Sequence, residues 1–343
     1  MKESSMNARI FVASLVLACT VAPALSAQSA IDSRCTDPAL VGSSNEGQDA
    51  CQKALDLLNY MTPQLGMLIA GGNATIGQGG TLGGLGHFAL SVRANAMRAS
   101  LPDIDGAGVN YGAAQRSNYV TEAQWAALPV VDAAFGVFKG IPLPLTNILG
   151  VDALVNVSYL PELEHDPLAL TTPDGSFKIG YGARVGVLQE SLVLPGISVT
   201  YMKRDLPRTT LIASWEGSAL TNADTARLQN FDIGTTSWRV TASKSLLAFA
   251  LVLGVGQDRY EAKADAFYSV SEPLARFEGG PVRYAFDVTR TNVFLDLTTN
   301  LGLAKLVATV GGVSGGEIPT YNTFDTEADA SRIYGSLGVR IGF

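Results

Sequence analysis

From residue 87 onward, hydrophobic and polar side chains alternate with a period of two, the signature of strands with one apolar and one polar face. Phe88, Leu90, Val92, Ala94 and Ala96 interleave with Ser91, Arg93, Asn95 and Met97. Val131–Lys139 is a weaker repeat. Leu149–Tyr159 sets Val151, Ala153, Val155 and Val157 against Asp152, Asn156 and Ser158. Phe177–Val187 sets Ile179, Tyr181, Ala183 and Val185 against Lys178, Arg184 and three glycines. Further alternating runs cover Gly196–Arg204, with a resumption over Thr209–Trp215, then Ile233–Ala242, Phe249–Val255, Thr291–Thr299 and Lys305–Val310. The last is Ser331–Phe343, which places Ile333, Leu337, Val339, Ile341 and Phe343 on one side and Arg332, Tyr334, Ser336 and Arg340 on the other.

The connections sort by length. Long ones fall near 102–126, 161–174, 217–228, 266–284 and 315–330; short ones fall near 140–147, 190–196, 244–246 and 300–302. Alternating long loops and short turns, with a strand that ends on an aromatic residue, predict an all-β chain. The architecture expected is an antiparallel transmembrane β-barrel of about 10–14 strands over residues 87–343, with lipid outside and a polar lumen inside.

Composition supports this architecture. The chain is 47% hydrophobic but only 16% charged, and no apolar run after the N-terminus is long enough for a membrane helix. The net charge of -7 argues against a nucleic-acid partner.

Residues 1–27 read as a secretory signal peptide: Lys2 and Arg9, an apolar stretch from Ile10 to Val21, then Pro23–Ala27 with a cut after Ser26 or Ala27. Lipoprotein processing at Cys19 is the rival reading, which Leu17 fits poorly. Cleavage leaves Cys35 and Cys51, expected to form a disulfide in an exported protein. Asn45–Tyr60 reads as a helix opened by Asn45 and Gln48 and ended by Pro63. Gly66–Gly86 is glycine-rich without the Gly-Lys-Ser/Thr of a phosphate loop. Residues 28–86 are therefore either a periplasmic segment or a plug inside the barrel.

Signal peptide, glycine-rich N-terminal segment, strand series and terminal Phe343 together resemble bacterial outer-membrane β-barrels. In layout the chain resembles the FadL-type transporters of hydrophobic compounds, which pair a barrel with an N-terminal plug. It lacks their Asn-Pro-Ala signature near the mature N-terminus, so no ligand residues carry over. The resemblance implies residence in the outer membrane, lipid contact, insertion by the barrel-assembly machinery through Phe343, and passage of small hydrophobic or amphipathic ligands. A structural or secretion-associated barrel without a conduit and a non-specific porin are the alternatives.

Strand parity places Arg93, Asn95, Asp152, Asn156, Lys178, Arg184, Arg204, Arg239, Asn292, Asp296, Lys305, Arg332 and Arg340 on the lumen face. Eight are basic and two acidic, a bias that favours anionic head groups unless plug and loop carboxylates neutralise it. No enzyme, metal or cofactor is expected. His87 and His165 are the only histidines, with no Gly-x-Ser-x-Gly nucleophile motif, and the loop Asp325–Asp329 lacks calcium-ligand spacing.

Overall fold

The computed structural model describes residues 29–41, 46–103, 113–165, 168–215, 224–246, 248–271 and 276–342. Signal residues 1–27, the helix-opening Asn45 and the terminal Phe343 lie outside them.

Ten strands form the barrel: β1 (Phe88–Pro102), β2 (Thr121–Phe138), β3 (Gly150–Tyr159), β4 (Phe177–Leu188), β5 (Gly196–Asp205), β6 (Asp224–Ser245), β7 (Phe249–Ser271), β8 (Arg276–Leu301), β9 (Ala304–Ser314) and β10 (Arg332–Gly342). Each pairs antiparallel with the next, and β10 returns to β1 with Val339 opposite Val92 and Arg340 opposite Ser91. The closed ladder leaves no edge at the seam. Ten is the lower bound of the expected range.

Two expected loops are strand. β6, β7 and β8 have 22, 23 and 26 residues, well beyond the roughly 9–11 a bilayer requires. Residues 224–228, 266–271 and 276–284, expected as loop, therefore continue the ladder above the membrane. The sequence masks this because both faces change character there. Arg259, Lys263 and Arg283 point outward to water, while Tyr260, Ala262, Ala264 and Ala266 point inward.

At the same end the wall divides. β6 pairs with β5 up to Asp205↔Gly234, then with a separate strand, Thr209–Trp215. Leu168–Thr171 and Leu163–His165 add to that strand as a flap. The resumption expected after Pro207 is thus a new strand, not a continuation of β5.

The N-terminal segment fills the barrel. It enters from the long-loop end, where the Ser29 amide donates to the Thr320 carbonyl (3.1 Å). A 3₁₀ turn, Ser33–Thr36, is joined by the Cys35–Cys51 disulfide to helix α1 (Glu46–Ala70). The helix does not stop at Pro63. Proline removes one helical donor, yet the Thr62 hydroxyl donates to the Leu58 carbonyl (2.6 Å) and the Gln64 amide to the Tyr60 carbonyl (3.3 Å), and the wall encloses the turn. The helix is buried on every side, polar residues included, because a barrel surrounds it. Gly66 lets it approach the wall: a Cβ there would lie 2.5 Å from the Tyr260 ring. The chain then descends through Gly71–Gly86 to the short-turn end and starts β1.

Candidate functional site

The outer wall decides the solvent. Phe88, Leu90 and Val92 on β1, Leu251, Leu253 and Val255 on β7, Leu295 and Leu297 on β8, and Leu337 and Val339 on β10 are exposed large apolar side chains in one continuous belt. Trp125, the Tyr159–Phe177 pair (ring centroids 5.0 Å apart) and Trp238 lie toward the long-loop end. Water does not accommodate such a surface, whereas a bilayer does. The chain is a plugged transmembrane β-barrel.

Inside, the lower lumen is polar and closed. Arg93 and Asp132 form a buried ion pair at 2.8 Å, with Arg204 on the other Asp132 oxygen at 3.9 Å. Arg239 holds Asp258 at 2.8 and 3.0 Å, and Arg184 approaches Asp152 at 3.7 Å. The same cations hold the plug through its main chain. Arg204 and Arg239 donate to the Ala70 carbonyl, Arg93 to Gly71 (3.1 Å), Arg184 to Gly80 (3.0 Å) and Arg340 to Ile76 (2.8 Å), while the Asn95 amide donates to Leu68 (2.7 Å). Three of these acceptors, at 68, 70 and 71, belong to or adjoin the C-terminus of α1, where helix carbonyls lack partners and the dipole is negative. Guanidinium groups are its complement.

Wall acids take the plug's free N–H groups. Asp296 accepts from Gly77 (2.8 Å) and Asp152 from Leu82 (3.1 Å). Gly77 has a φ of 65°, and a Cβ there would strike the Thr298 hydroxyl. Asn292 donates to Asp258 (2.6 Å) and accepts from Tyr334 (2.8 Å), whose hydroxyl takes the Gly72 N–H (2.8 Å). Asn156 donates to Asp132 (2.8 Å).

The upper lumen is apolar around α1 and is covered by the β9–β10 connection. Phe324 stacks on Tyr60 (4.1 Å) and Tyr119 (5.1 Å). Beside it, Asp56 accepts from the Tyr321 N–H (3.1 Å), the Asn322 N–H (2.8 Å), the Asn322 amide (2.6 Å) and Gln52 (3.0 Å). Burial pushes its carboxyl up to about 6 against these donors. Where β6 changes partner, Leu65 of the plug meets Leu160, Leu170, Leu206, Pro207, Phe231 and Ile233 around an apolar cavity of about 30 Å³.

The thirteen lumen positions all take inward parity, with unequal surroundings. Arg93, Asn95, Asp152, Asn156, Arg184, Arg204, Arg239, Asn292 and Asp296 are buried against the plug and each other. Arg340 is buried under Ile76, and Arg332 sits 5.8 Å from the Tyr60 ring. Lys178 is half-buried, and Lys305 is exposed at the short-turn rim opposite Arg340. Their counter-charges are mainly wall carboxylates and main-chain carbonyls rather than loop acids. Parity would have found Asp132 and Asp258, but both sit where the apolar alternation weakens. Arg290, which clamps the carbonyls of Gly315, Asp329 and Ala330, lies just before the alternating run Thr291–Thr299, outside every element the sequence predicts. His87 lies at the rim with Nδ1 3.3 Å from the Gly84 carbonyl. Among the described residues no three metal-ligating side chains gather.

No family model and no curated protein matches the chain. Solved structures with some likeness are bacterial membrane barrels. The outer-membrane protease OmpT of Escherichia coli aligns over 75% of this chain and 96% of its own at 9% identity, TM-score 0.37. The toluene transporter TbuX of Ralstonia pickettii aligns over 80% and 96% at 12% identity, TM-score 0.31. Ail of Yersinia pestis aligns over 76% and 99% at 9% identity, TM-score 0.27. Likeness this distant does not extend to activity.

Proposed function

We propose that the protein is a plug-gated conduit for small hydrophobic or amphipathic molecules, resident in the bacterial outer membrane. It would arrive there by a cleaved signal peptide and the barrel-assembly machinery, with lipid as its standing partner. The observation that carries the reading is the apolar crevice at the wall seam, where Leu65 of the plug meets Phe231, Leu206 and Pro207. It is a recess lined by apolar side chains except for Thr209, at the junction of plug, flap and barrel. At about 30 Å³ it takes little more than a methyl group, so a ring or chain enters only as the plug shifts. The arginine collar below it speaks against a standing water-filled pore, and thus against the porin alternative.

A structural barrel with no conduit is the second reading, favoured by the ties that lumen arginines make to wall carboxylates and plug carbonyls. An enzymatic role is the weaker reading: among the described residues His87 is held at the rim by a main-chain carbonyl. Proteoliposomes separate these readings. Uptake of toluene-sized apolar compounds with exclusion of sugars of similar size supports the gated conduit. Swelling in sugars supports a porin, and inertness to both supports the structural barrel. Substituting L65N should reduce apolar uptake several-fold while the barrel still shows heat-modifiable migration.

A further inference from the structure

The turns at the short-turn end are apolar. Leu145 tips the β2–β3 connection, Leu192 (96% exposed) and Val193 tip β4–β5, Leu246 opens β6–β7, and Leu301 and Leu303 (83% exposed) flank β8–β9. Leu85, just before β1, is equally exposed. Every strand-joining turn at this end thus presents at least one large aliphatic side chain, where a water-facing turn would present polar ones.

Around β7 the lipid belt is short without them, although on β4 the outward apolar series Phe177–Val187 is already longer. On β7 the outward apolar positions run from Phe249 to Val255, about 20 Å along the strand. A tilt of about 40° reduces that to about 15 Å along the bilayer normal, against an apolar band of about 25 Å. The belt cannot extend upward, because Arg259 follows on the same face. The missing length lies below Phe249, where Leu246, Leu301 and Leu303 are. The aromatic residues agree. Outward Trp125, Tyr159 and Trp238, which prefer the interface, lie toward the long-loop end, and Tyr181 and Tyr201 sit part-way along β4 and β5; the outward aromatics nearest the short-turn rim are Phe88, Phe135, Phe138 and Phe249, which belong in hydrocarbon.

The turn backbones are also prepared for a dry setting, where unpaired main-chain groups are costly. Lys244 Nζ donates to the carbonyls of Ser191 (2.9 Å), Leu192 (2.8 Å) and Leu194 (3.4 Å). The Ser191 N–H donates to Leu194, the Gln189 N–H to Asn147 and the Leu246 N–H to Phe249. Glu190 accepts from Ser243 (2.9 Å) and the Ser245 N–H (2.5 Å). Lys139, an exposed cation at this rim, has a stem long enough to reach head groups from within the apolar layer.

We infer that these turns form an apolar foot immersed in the acyl chains of the inner leaflet, continuous with the lipid-facing belt. The base of the plug then opens at the lipid boundary instead of in bulk water. This rests on the membrane belt alone and holds whichever function is correct.

Bimane attached through L192C and through L303C, in the oxidised full-length protein, tests it. The variants are reconstituted in phosphatidylcholine vesicles with plain or dibrominated acyl chains, with D174C in the exposed β3–β4 connection as control. Bromine should quench both turn probes at least two-fold more than the control. A sulfonated maleimide present on both sides of the membrane should react with L192C and L303C at least ten-fold more slowly than with D174C. Quenching and labelling equal to the control would overturn the inference and leave the turns as a water-exposed surface. Each variant is scored only with its heat-modifiable band, and L145C replaces one that does not fold.

Discussion

The pair Arg239–Asp258 sits where plug and wall meet, and cutting it in two ways gives opposite results. Its side chains are 3% and 0% exposed, and one guanidinium nitrogen reaches both carboxylate oxygens, at 2.8 and 3.0 Å. R239M leaves Asp258 ionised and buried with Asn292 as its principal donor. Removing one partner of a buried pair costs about 3–5 kcal/mol. The same substitution withdraws a donor from the Ala70 carbonyl at the C-terminus of α1, worth about 1 kcal/mol more. R239M should therefore lose about 4–6 kcal/mol. R239M/D258N removes both charges and keeps a side-chain oxygen at position 258 that can accept from Asn292, so it should regain most of that and stay within about 1–2 kcal/mol of the parent. The assay is a urea series in detergent micelles, read by the folded band on unheated gels and extrapolated linearly. A loss below about 1 kcal/mol for R239M, or a double variant as unstable as the single, would refute the account of the collar as matched charge.

Two further outcomes follow from the upper half of the plug. The disulfide closes a short loop, the cysteines being 16 residues apart, so C35S/C51S should cost about 3 kcal/mol by the loop-entropy estimate; a change in the urea midpoint measures it, and no change would mean that packing alone holds the 3₁₀ turn. Asp56, with a folded-state value of about 6 against an ordinary 3.8, binds a proton in the docked state that a hydrated Asp56 has lost. Docking of the β9–β10 connection is then firmest below about pH 4, weakens as pH rises through about 6 and is level above that. Hydrogen exchange of residues 321–323 across pH 4–8 reads it, corrected for intrinsic rates, and D56N should flatten the profile; protection that rises with pH would contradict the burial argument.

The barrel was legible because lipid and lumen impose opposite chemistry on alternate residues. That constraint is strongest mid-membrane, as in Phe177–Val187 and Ser331–Ile341. It lapses above the bilayer, where water lies outside the wall and a protein core inside it. There Arg259, Glu261 and Lys263 alternate with Tyr260, Ala262 and Ala264, so the apolar face no longer points outward and the run that reads as a strand stops at Val255. Pro63 misled for a related reason: a proline ends a helix in water, but inside a barrel the wall and neighbouring hydroxyls keep the turn intact. The lumen register was legible by parity, while its partners were not. The arginines grip carbonyls of residues 70, 71, 76 and 80, and a carbonyl is common to every side chain, so no plug residue type marks the contact.

Those main-chain contacts also redirect the search for charge selectivity. The inward wall carries Arg93, Arg184, Arg204, Arg239, Arg290, Arg332 and Arg340 against Asp132, Asp152, Asp258 and Asp296. Arg184 and Arg239 each have a carboxylate of their own, so neutralising either exposes an acid as well as removing a cation. Arg204 shares Asp132 with Arg93 and stands further from it, at 3.9 against 2.8 Å. Arg340 is tied to the Ile76 carbonyl, a neutral group that departs with the plug. The cations at the plug that have no carboxylate of their own once it is displaced are therefore Arg204, Arg332 and Arg340, of which Arg204 and Arg340 lie in the collar. In planar bilayers, any current opened by mild urea or by applied voltage should favour chloride over potassium. R204Q/R340Q should shift the reversal potential toward zero by more than R184Q/R239Q does. The opposite order would mean that the wall pairs separate on opening, and that the collar stores charge for the solute instead of holding the plug.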